Sequence, residues 1–309
     1  MCFTNFVFKS IEFSLLFGFS CFALYIILKL IVKLLRHFSH SRTKKIIGIF
    51  HPYCNAGGGG ERVLWCLVKF IQEKYPEQEV VIYTGDQDAT SKEILDKMQN
   101  NFKIELKSEP RFVFLRSRKF VEAQYYPFFT LLGQSLGSVI LGLEALFKCV
   151  PDLYIDTMGY GFTYPIFKFL ADCQIAAYTH YPIISTDMID TVNSNAATFN
   201  NRRFISNSKI LTKAKLLYYQ MFAWLYGVVG RQSDLVMVNS SWTKGHIVKL
   251  WGIIDRVHLV YPPCNTQNFE ELTLDKPDDS KYKIVSVAQF RPEKNHALQI
   301  EALHLLIRK

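Results

Sequence analysis

The chain has 309 residues, of which 49% are hydrophobic and 20% are charged, and its 36 lysines and arginines against 27 acidic residues give a formal net charge of +9. This composition excludes a disordered chain, a collagen-like chain and a small disulfide-stapled scaffold, and the length allows about two domains. The seven cysteines form no C-x-x-C pair, which disfavours a zinc site. The sequence also has no basic stripe interleaved with aromatic residues, so a nucleic-acid partner is not expected.

An uncharged segment lies close to the N-terminus, in a chain whose mean hydropathy of +0.07 is high for a soluble enzyme. Residues 13–28 read FSLLFGFSCFALYIIL, and extension past Lys29 gives the roughly 20 helical residues that a bilayer requires. This segment predicts one membrane anchor over residues 13–35. The positive-inside rule then predicts that residues 1–12 lie in the lumen and that the rest of the chain lies in the cytoplasm. A buried core helix is the alternative. The cations that set this orientation are Lys29, Lys33, Arg36, Arg42, Lys44 and Lys45.

Strands and helices alternate after the anchor. A buried strand over residues 45–50 is followed by a loop over residues 51–60 and by a helix over residues 61–75, which Pro76 ends. This alternation is typical of an α/β fold with a parallel, doubly wound sheet, whose ligand lies beyond the carboxyl ends of the strands. We therefore expect a Rossmann-like domain over residues 44–269. Its further predicted strands cover residues 79–84, 153–157, 174–179, 235–238 and 256–260.

Two later stretches of this domain carry no charge. Residues 125–143 and 216–230 each fit either a core helix or a helix in the membrane interface, and for the first of them the core is favoured. The second stretch has three lysines before it and an arginine after it, which suits an anionic bilayer surface. These flanking cations are Lys209, Lys213, Lys215 and Arg231.

A polar linker is predicted over residues 270–282, which read EELTLDKPDDSKY. A strand over residues 283–287 and a helix from His296 follow it, and they indicate the start of a second Rossmann-like domain over residues 283–309. One strand and one helix cannot bury their own apolar faces. We therefore expect the chain to be a fragment of a longer protein or a short form with an incomplete second domain.

Four glycines and a glutamate, Gly57 to Glu61, stand between the first strand and the first helix of the domain. Glycine lets a ligand approach the bare backbone, and a helix N-terminus can receive a phosphate. The motif lacks the Lys-Ser/Thr pair of a P-loop, so nucleotide hydrolysis is not expected. We predict that Gly58, Gly59, Gly60 and Glu61 contact a phosphate or a sugar, and a flexible loop is the alternative.

Other polar residues follow predicted strands, which places them at the edge where the ligand is expected. His180, in YTHYP, is the candidate with catalytic chemistry, although a single histidine is often structural. Asn239 is a candidate binding residue, and His51 and Tyr261 stand at equivalent positions. The segment Asp86-Gln87-Asp88 resembles a D-x-D metal motif, but it stands where an Asp-rich turn is expected. We predict a turn there and no metal site.

Arg291 and Lys294, in QFRPEKNH, stand at the turn between the strand and the helix of the second unit. Two cations at such a turn can neutralise a diphosphate without a metal ion. A solvated turn is the alternative.

Six segments occur together in one order: HPYCNAGGGGERVLWC, YIDTMGY, HYPIISTDM, VMVNSSWT, VYPPC and QFRPEKNH. Together they resemble the GDP-mannose-dependent α-1,2-mannosyltransferases of the dolichol-linked oligosaccharide pathway, which are retaining GT-B glycosyltransferases. The resemblance covers residues 51–309. It implies a GT-B-like fold of two facing Rossmann-like domains, in which the first domain holds the lipid-linked acceptor and the second holds most of the nucleotide-sugar. It also implies the cytoplasmic face of the endoplasmic reticulum membrane, in agreement with the charge pattern.

The activity that the resemblance implies is the addition of the fourth and fifth mannoses, in α-1,2 linkage, from GDP-mannose to Man3GlcNAc2-diphosphodolichol in protein N-glycosylation. The implied partners are GDP-mannose, the dolichyl-diphosphate-linked oligosaccharide, membrane lipid and other mannosyltransferases of the pathway. No cofactor is expected, because lysine and arginine charge and a helix dipole can stabilise the departing GDP. The alternative from another class is a truncated, non-catalytic, membrane-anchored partner of other glycosyltransferases.

The resemblance also implies roles for single residues. Gly58, Gly59 and Gly60 would approach the donor diphosphate or the acceptor, and His180 would contact the transferring sugar. Lys294 would pair with the diphosphate. The family has an arginine five residues before that lysine, where this chain has Gln289, so Arg291 is the candidate for the missing charge. A Glu-x7-Glu motif expected later in the second domain lies beyond this sequence.

Overall fold

A computed structural model shows the architecture, and within its described residues seven parallel strands form one sheet in the order β3-β2-β1-β4-β5-β6-β7. The chain builds outward from β1 to β3 and then returns to β4 beside β1, so the predicted doubly wound α/β sheet is confirmed. The strands are β1 Ile46–Phe50, β2 Glu79–Thr84, β3 Arg111–Phe114, β4 Leu153–Asp156, β5 Gln174–Thr179, β6 Leu235–Val238 and β7 Val257–Leu259. The described residues are 2–39, 44–193, 209–266, 270, 272, 283–290 and 294–308.

Helices cover both faces of the sheet. In β1, Ile47 and Ile49 face one apolar cluster, which contains α2 and α3. Ile46 and Phe50 face the other cluster, which contains α4, α6, α7 and the end of α1. Both faces are buried, as expected for strands that read as unbroken apolar runs. The helices are α1 Cys2–Ser39, α2 Gly59–Lys74, α3 Ser91–Phe102, α4 Thr130–Lys148, α5 Thr186–Asn193, α6 Lys209–Gly230, α7 Ser241–Trp251 and α8 His296–Ile307.

Two strands differ from the sequence predictions. β3 was not predicted, because its four residues follow a proline and lie half-buried at one edge of the sheet. The strand predicted over residues 283–287 is wrong: this segment pairs with no strand among the described residues, and Val285 and Val287 are 78% and 94% exposed. An apolar run becomes a strand only where a neighbouring strand satisfies its backbone groups. The predicted linker lies outside the described residues except for Glu270 and Leu272.

The two charge-free stretches fold as α4 and α6, and each helix has one face in the core. On α6, Tyr219, Phe222 and Tyr226 are buried, whereas Met221 and Trp224 are 58% and 66% exposed. α4 likewise buries one side and exposes apolar side chains on the other. The core alternative is therefore confirmed for one side of each helix, and the interface alternative stays a prediction for the exposed side.

The N-terminal helix is attached to the domain by its last turns. Residues 14–38 are apolar and long enough to cross a membrane, and that stretch is almost wholly exposed. Near its end, Val32 is buried in the core, Lys29 pairs with Asp172 at 2.9 Å, and Arg36 donates to the Pro151 carbonyl oxygen at 2.7 Å. The exposed apolar part therefore lies ahead of a segment that belongs to the domain.

The glycines of α4 and α7 offer a test of this packing. A Cβ on Gly137 of α4 would overlap the Phe120 carbonyl oxygen, whereas a Cβ on Gly245 of α7 would meet nothing within 4 Å. We expect Gly137→Ala to lower the free energy of unfolding by about 1–3 kcal/mol. Gly245→Ala should raise it by up to about 1 kcal/mol, because alanine favours a helix interior. Urea unfolding in detergent micelles measures both, and equal stabilities would contradict the packing described.

Candidate functional site

Polar side chains meet where β1 and β4 end side by side. All strands are parallel, so their carboxyl ends share one edge, and the reversal of strand order between β1 and β4 is where doubly wound sheets hold their ligand crevice. His51 follows β1, Thr157 follows β4 and His180 follows β5, while Glu61 comes from the first turn of α2. We call these four residues the switch-point cluster.

The glycine loop brings the start of α2 into this cluster. Gly57 has a φ of +86°, which favours glycine, and Gly58 is the extended residue that caps the helix. A Cβ on Gly60 would lie 3.6 Å from His180 Nε2. The bare backbone in the first turn of α2 therefore faces the imidazole of His180, with room between them for a Cβ in ordinary contact.

A buried carboxylate already occupies the N-terminus of α2. Glu61 Oε2 accepts the backbone N–H of Gly58 at 2.5 Å, and Glu61 Oε1 lies 3.5 Å from Nε2 of the fully buried His51. His51 is held in turn through Nδ1, 2.7 Å from Thr157 Oγ1. Burial opposes ionisation of Glu61, but the neighbouring His51 and the backbone N–H groups outweigh it and lower the pKa of Glu61. The carboxylate offsets the positive helix end that would attract a phosphate.

His180 keeps one ring nitrogen without a hydrogen-bond partner in the described part of the chain. Burial, and then the neighbouring His51, lower the pKa of His180, so the imidazole is neutral at pH 7. The backbone of Thr157 hydrogen-bonds the ring, whereas Nε2 is buried and has no hydrogen-bond partner among the described residues. A buried polar atom without a partner is costly, and a ligand hydroxyl beside Gly60 would satisfy it.

Asn239 forms the rim of the crevice next to His180. It follows β6, and its Oδ1 accepts the hydroxyl of Thr243 at 2.8 Å. Thr243 Oγ1 also lies 3.4 Å from the backbone carbonyl oxygen of His180. The structure thus brings together the predicted residues Gly58, Gly59, Gly60, Glu61, His180 and Asn239.

Lys294 is exposed just before α8, and its carbonyl oxygen accepts Gln299 Nε2 at 2.9 Å. No hydrogen bond or ion pair joins it to the switch-point cluster within the described part of the chain. Arg291 lies outside the described residues.

The Asp-rich segment after β2 is a turn, as predicted. The Asp86 carboxylate accepts the backbone N–H of Asn55 at 3.0 Å and pairs with Arg118. It therefore fastens two loops together. Across the described ranges, no group of three or more His, Cys, Asp or Glu side chains is arranged to hold a metal ion.

Sequence reasoning missed Asp156, the last residue of β4. Its carboxyl group is completely buried and accepts hydrogen bonds from the Tyr164 hydroxyl at 2.7 Å and from the backbone N–H groups of Met158 and Gly159 at 2.9 and 3.1 Å. Burial raises its pKa to about 6. Asp156 shapes the turn that carries Thr157, and an acidic residue that ends a buried strand was the signal for it.

Comparison with known proteins places the chain in a family. The sequence model described as "ALG11 mannosyltransferase N-terminus" matches residues 44–251. The chain belongs to this family. It is 54% identical over 269 residues to the "GDP-Man:Man(3)GlcNAc(2)-PP-Dol alpha-1,2-mannosyltransferase" of Xenopus laevis, with 87% of this chain and 55% of that protein covered. The protein of the same name from Homo sapiens is 52% identical over 278 residues, with 90% of this chain and 56% of that protein covered.

The chain spans about half the length of these relatives of the ALG11 family. Among solved structures, the apo form of the lipopolysaccharide outer core galactosyltransferase WaaB is 15% identical with a TM-score of 0.38, covering 77% of this chain and 50% of that one. This likeness is too low to carry an argument about the site. The family model and the relatives confirm the mannosyltransferase family that the six sequence segments suggested.

The buried carboxyl of Asp156 makes the stability of this ALG11-family chain depend on pH. Its pKa is about 6 in the folded chain, above its ordinary value of about 3.9. As pH rises through this window the unfolded chain loses the proton first, so the free energy of unfolding falls, by up to about 3 kcal/mol. About half of this fall lies between pH 5 and 7, and we expect Asp156→Asn to remove it, as measured by urea unfolding at several pH values in that range.

Glu144 provides the control, because hydrogen bonds hold its pKa at about 2 despite partial burial. Its contribution is present above its ordinary pKa and is lost only as pH drops toward 2. Glu144→Gln should therefore lower stability by the same amount throughout pH 5–7. A parallel shift for both variants would show that Asp156 does not titrate in this range.

Proposed function

We propose that this chain carries the acceptor-binding part of a GDP-mannose-dependent α-1,2-mannosyltransferase. The reaction is the addition of the fourth and fifth mannoses to Man3GlcNAc2-diphosphodolichol on the cytoplasmic face of the endoplasmic reticulum membrane. Family membership supports the reaction class, and the printed names of the relatives supply the donor and the acceptor. The observation that carries the proposal is the neutral His180, whose unpartnered Nε2 faces the bare backbone at Gly60.

The switch-point cluster suits a sugar better than a phosphate. Glu61 keeps a negative charge at the start of α2, which repels a diphosphate, while His180 Nε2 can accept a hydrogen bond from a hydroxyl group. We assign Gly58, Gly59 and Gly60 to close approach by a sugar and Asn239 to the rim of the same site.

The donor diphosphate belongs with other residues in this proposal. Arg291 and Lys294 are the proposed partners of the departing GDP, because cations can stabilise its developing charge without a metal ion. Transfer that is unchanged by a chelator is the expected result. Loss of transfer that manganese restores would overturn this assignment.

We propose a lipid-facing surface for the same chain. α1 supplies the anchor, with residues 1–12 in the lumen. α4 and α6 pack on the same face of the sheet as the end of α1, and each exposes an apolar side. Lys213 and Lys215 near the start of α6 would attract anionic lipid headgroups. This surface would hold the crevice within reach of a lipid-linked acceptor.

Transfer of labelled mannose tests the function directly. Membranes from cells that express this 309-residue chain are given GDP-mannose and synthetic Man3GlcNAc2-diphospholipid. We expect transfer by the wild type and a loss of about 100-fold in His180→Ala, because a polar contact to the reacting sugar is removed. Gly60→Ala should fold, since its Cβ meets only ordinary contacts, but should transfer less because it fills the space beside His180.

The matched control is Gly245→Ala, which makes the same change in open space on α7 and should keep full activity. No transfer by the wild type, with the protein present in the membrane, would contradict transfer by this chain on its own and leave either an acceptor-binding fragment or a non-catalytic membrane-anchored partner of other glycosyltransferases.

Charge reversal tests the lipid-facing surface. Both double variants are made in a shortened chain that starts at Lys29, so that the turns around Val32 and Arg36 still pack on the domain. Lys213→Glu with Lys215→Glu should reduce its flotation with anionic liposomes and leave its behaviour with neutral liposomes unchanged. The matched control reverses Lys74 and Lys92, which lie exposed on α2 and α3 of the other layer. Equal flotation of the two double variants would refute this surface.

A further inference from the structure

Two exposed aromatic side chains stack on each other at the rim of the crevice. Tyr181 and Trp242 are 59% and 42% exposed, their ring centroids are 5.1 Å apart, and their planes meet at 30°. We call this pair the aromatic ledge. Large aromatic surfaces beside a crevice are a common means of binding a ligand, because they offer contact area at low cost in conformational entropy.

The ledge is held in place from below. Trp242 packs edge-to-face on His246, with ring centroids 4.1 Å apart, and His246 is 7% exposed. His246 Nδ1 accepts the backbone N–H of Thr186 at 3.3 Å and lies 2.9 Å from the Thr186 hydroxyl oxygen, while Nε2 lies 3.4 Å from Asp187. These contacts fix the orientation of the indole ring, so a ligand would meet a preorganised surface.

The ledge adjoins the residues already assigned to the crevice. Tyr181 directly follows His180, and Trp242 is separated from Asn239 by two serines. Thr243, the residue after Trp242, connects the two segments, because its Oγ1 lies 3.4 Å from the His180 carbonyl oxygen and 2.8 Å from Asn239 Oδ1. An aromatic face, an amide and an imidazole therefore lie along one rim.

We propose that the aromatic ledge is a sugar-binding subsite that receives a hexose ring of the acceptor glycan; this inference rests on the proposed function. A pyranose ring packs its C–H groups against an aromatic face and directs its hydroxyl groups outward, where the Asn239 amide can hydrogen-bond them and the reacting end of the glycan can extend toward His180. A stacked guanine is disfavoured at this place. Its diphosphate would lie near the ionised Glu61 at the start of α2, and like charges repel.

Tryptophan fluorescence can test the ledge, because only two of the four tryptophans are exposed. Trp65 and Trp251 are fully buried, whereas Trp224 on α6 is 66% exposed. In the Trp224→Phe variant, Trp242 is the one exposed fluorophore. Titration of this variant in detergent micelles with lipid-free Man3GlcNAc2 should shift the emission to shorter wavelength and protect it from acrylamide.

The matched control is Trp242→Phe, which keeps Trp224 and should show neither effect. In the Trp224→Phe background, Tyr181→Leu should weaken glycan binding on the order of tenfold, and Tyr181→Phe should retain it because the ring face remains. Protection of Trp242 by GDP without glycan would overturn the proposal in favour of a nucleobase. Glycan binding that is unchanged in Tyr181→Leu would also overturn it.

Failure of the ledge and failure of the proposed function give different results. If the wild type transfers mannose but Trp242→Leu leaves the KM for the acceptor unchanged, the ledge is refuted and the function stands. If the glycan protects Trp242 but no mannose is transferred, the subsite stands and transfer by this chain on its own is refuted. The expected result is a raised acceptor KM with kcat nearly unchanged, which a general loss of structure would not produce.

Discussion

The carboxylate of Glu61 is the group on which the rest of the crevice depends. It accepts the Gly58 N–H, so it sets the path of the glycine loop, and it faces Nε2 of the fully buried His51. Thr157 holds His51 from the other side, which connects the ends of β1 and β4 to the start of α2. Without the carboxylate, the Gly58 N–H would lack its partner and the buried His51 would lose its polar neighbour, and such losses are expensive inside a protein.

A helix end that is capped by its own side chain has less to offer an external anion. The loop between β1 and α2 reads from the sequence as a phosphate or a sugar site, and the position of Glu61 separates these two possibilities. A neutral His180 beside a negative Glu61 forms a surface for hydroxyl groups, and cations for a diphosphate must come from another segment of the protein. On the proposed function, this separation of charge would place the sugar and the diphosphate at different sites.

Most of the sheet was readable from the sequence because β2, β5 and β6 are buried apolar runs with turn residues after them, and their bounds agree with the prediction. β3 was not readable, since an edge strand of four residues buries too little to stand out. Residues 283–287 carry the same apolar pattern without a partner strand, so the pattern alone was not sufficient. In the crevice, strand ends identified His180, but whether Asp156 is buried depends on Tyr164 and the turn after β4, which periodicity does not reveal.

The attachment of the anchor adds a constraint on how an acceptor reaches the crevice. Lys29 and Arg36 bind Asp172 and Pro151, which precede β5 and β4, so the anchor meets the sheet at the amino ends of its strands. The crevice lies at the carboxyl ends, about 15–20 Å away along strands of five or six residues. On the proposed function, the reacting mannose must therefore stand well away from the lipid diphosphate. An acceptor with a chain of sugars between the two meets this requirement, and a ledge that holds one ring of that chain would place its far end beside His180.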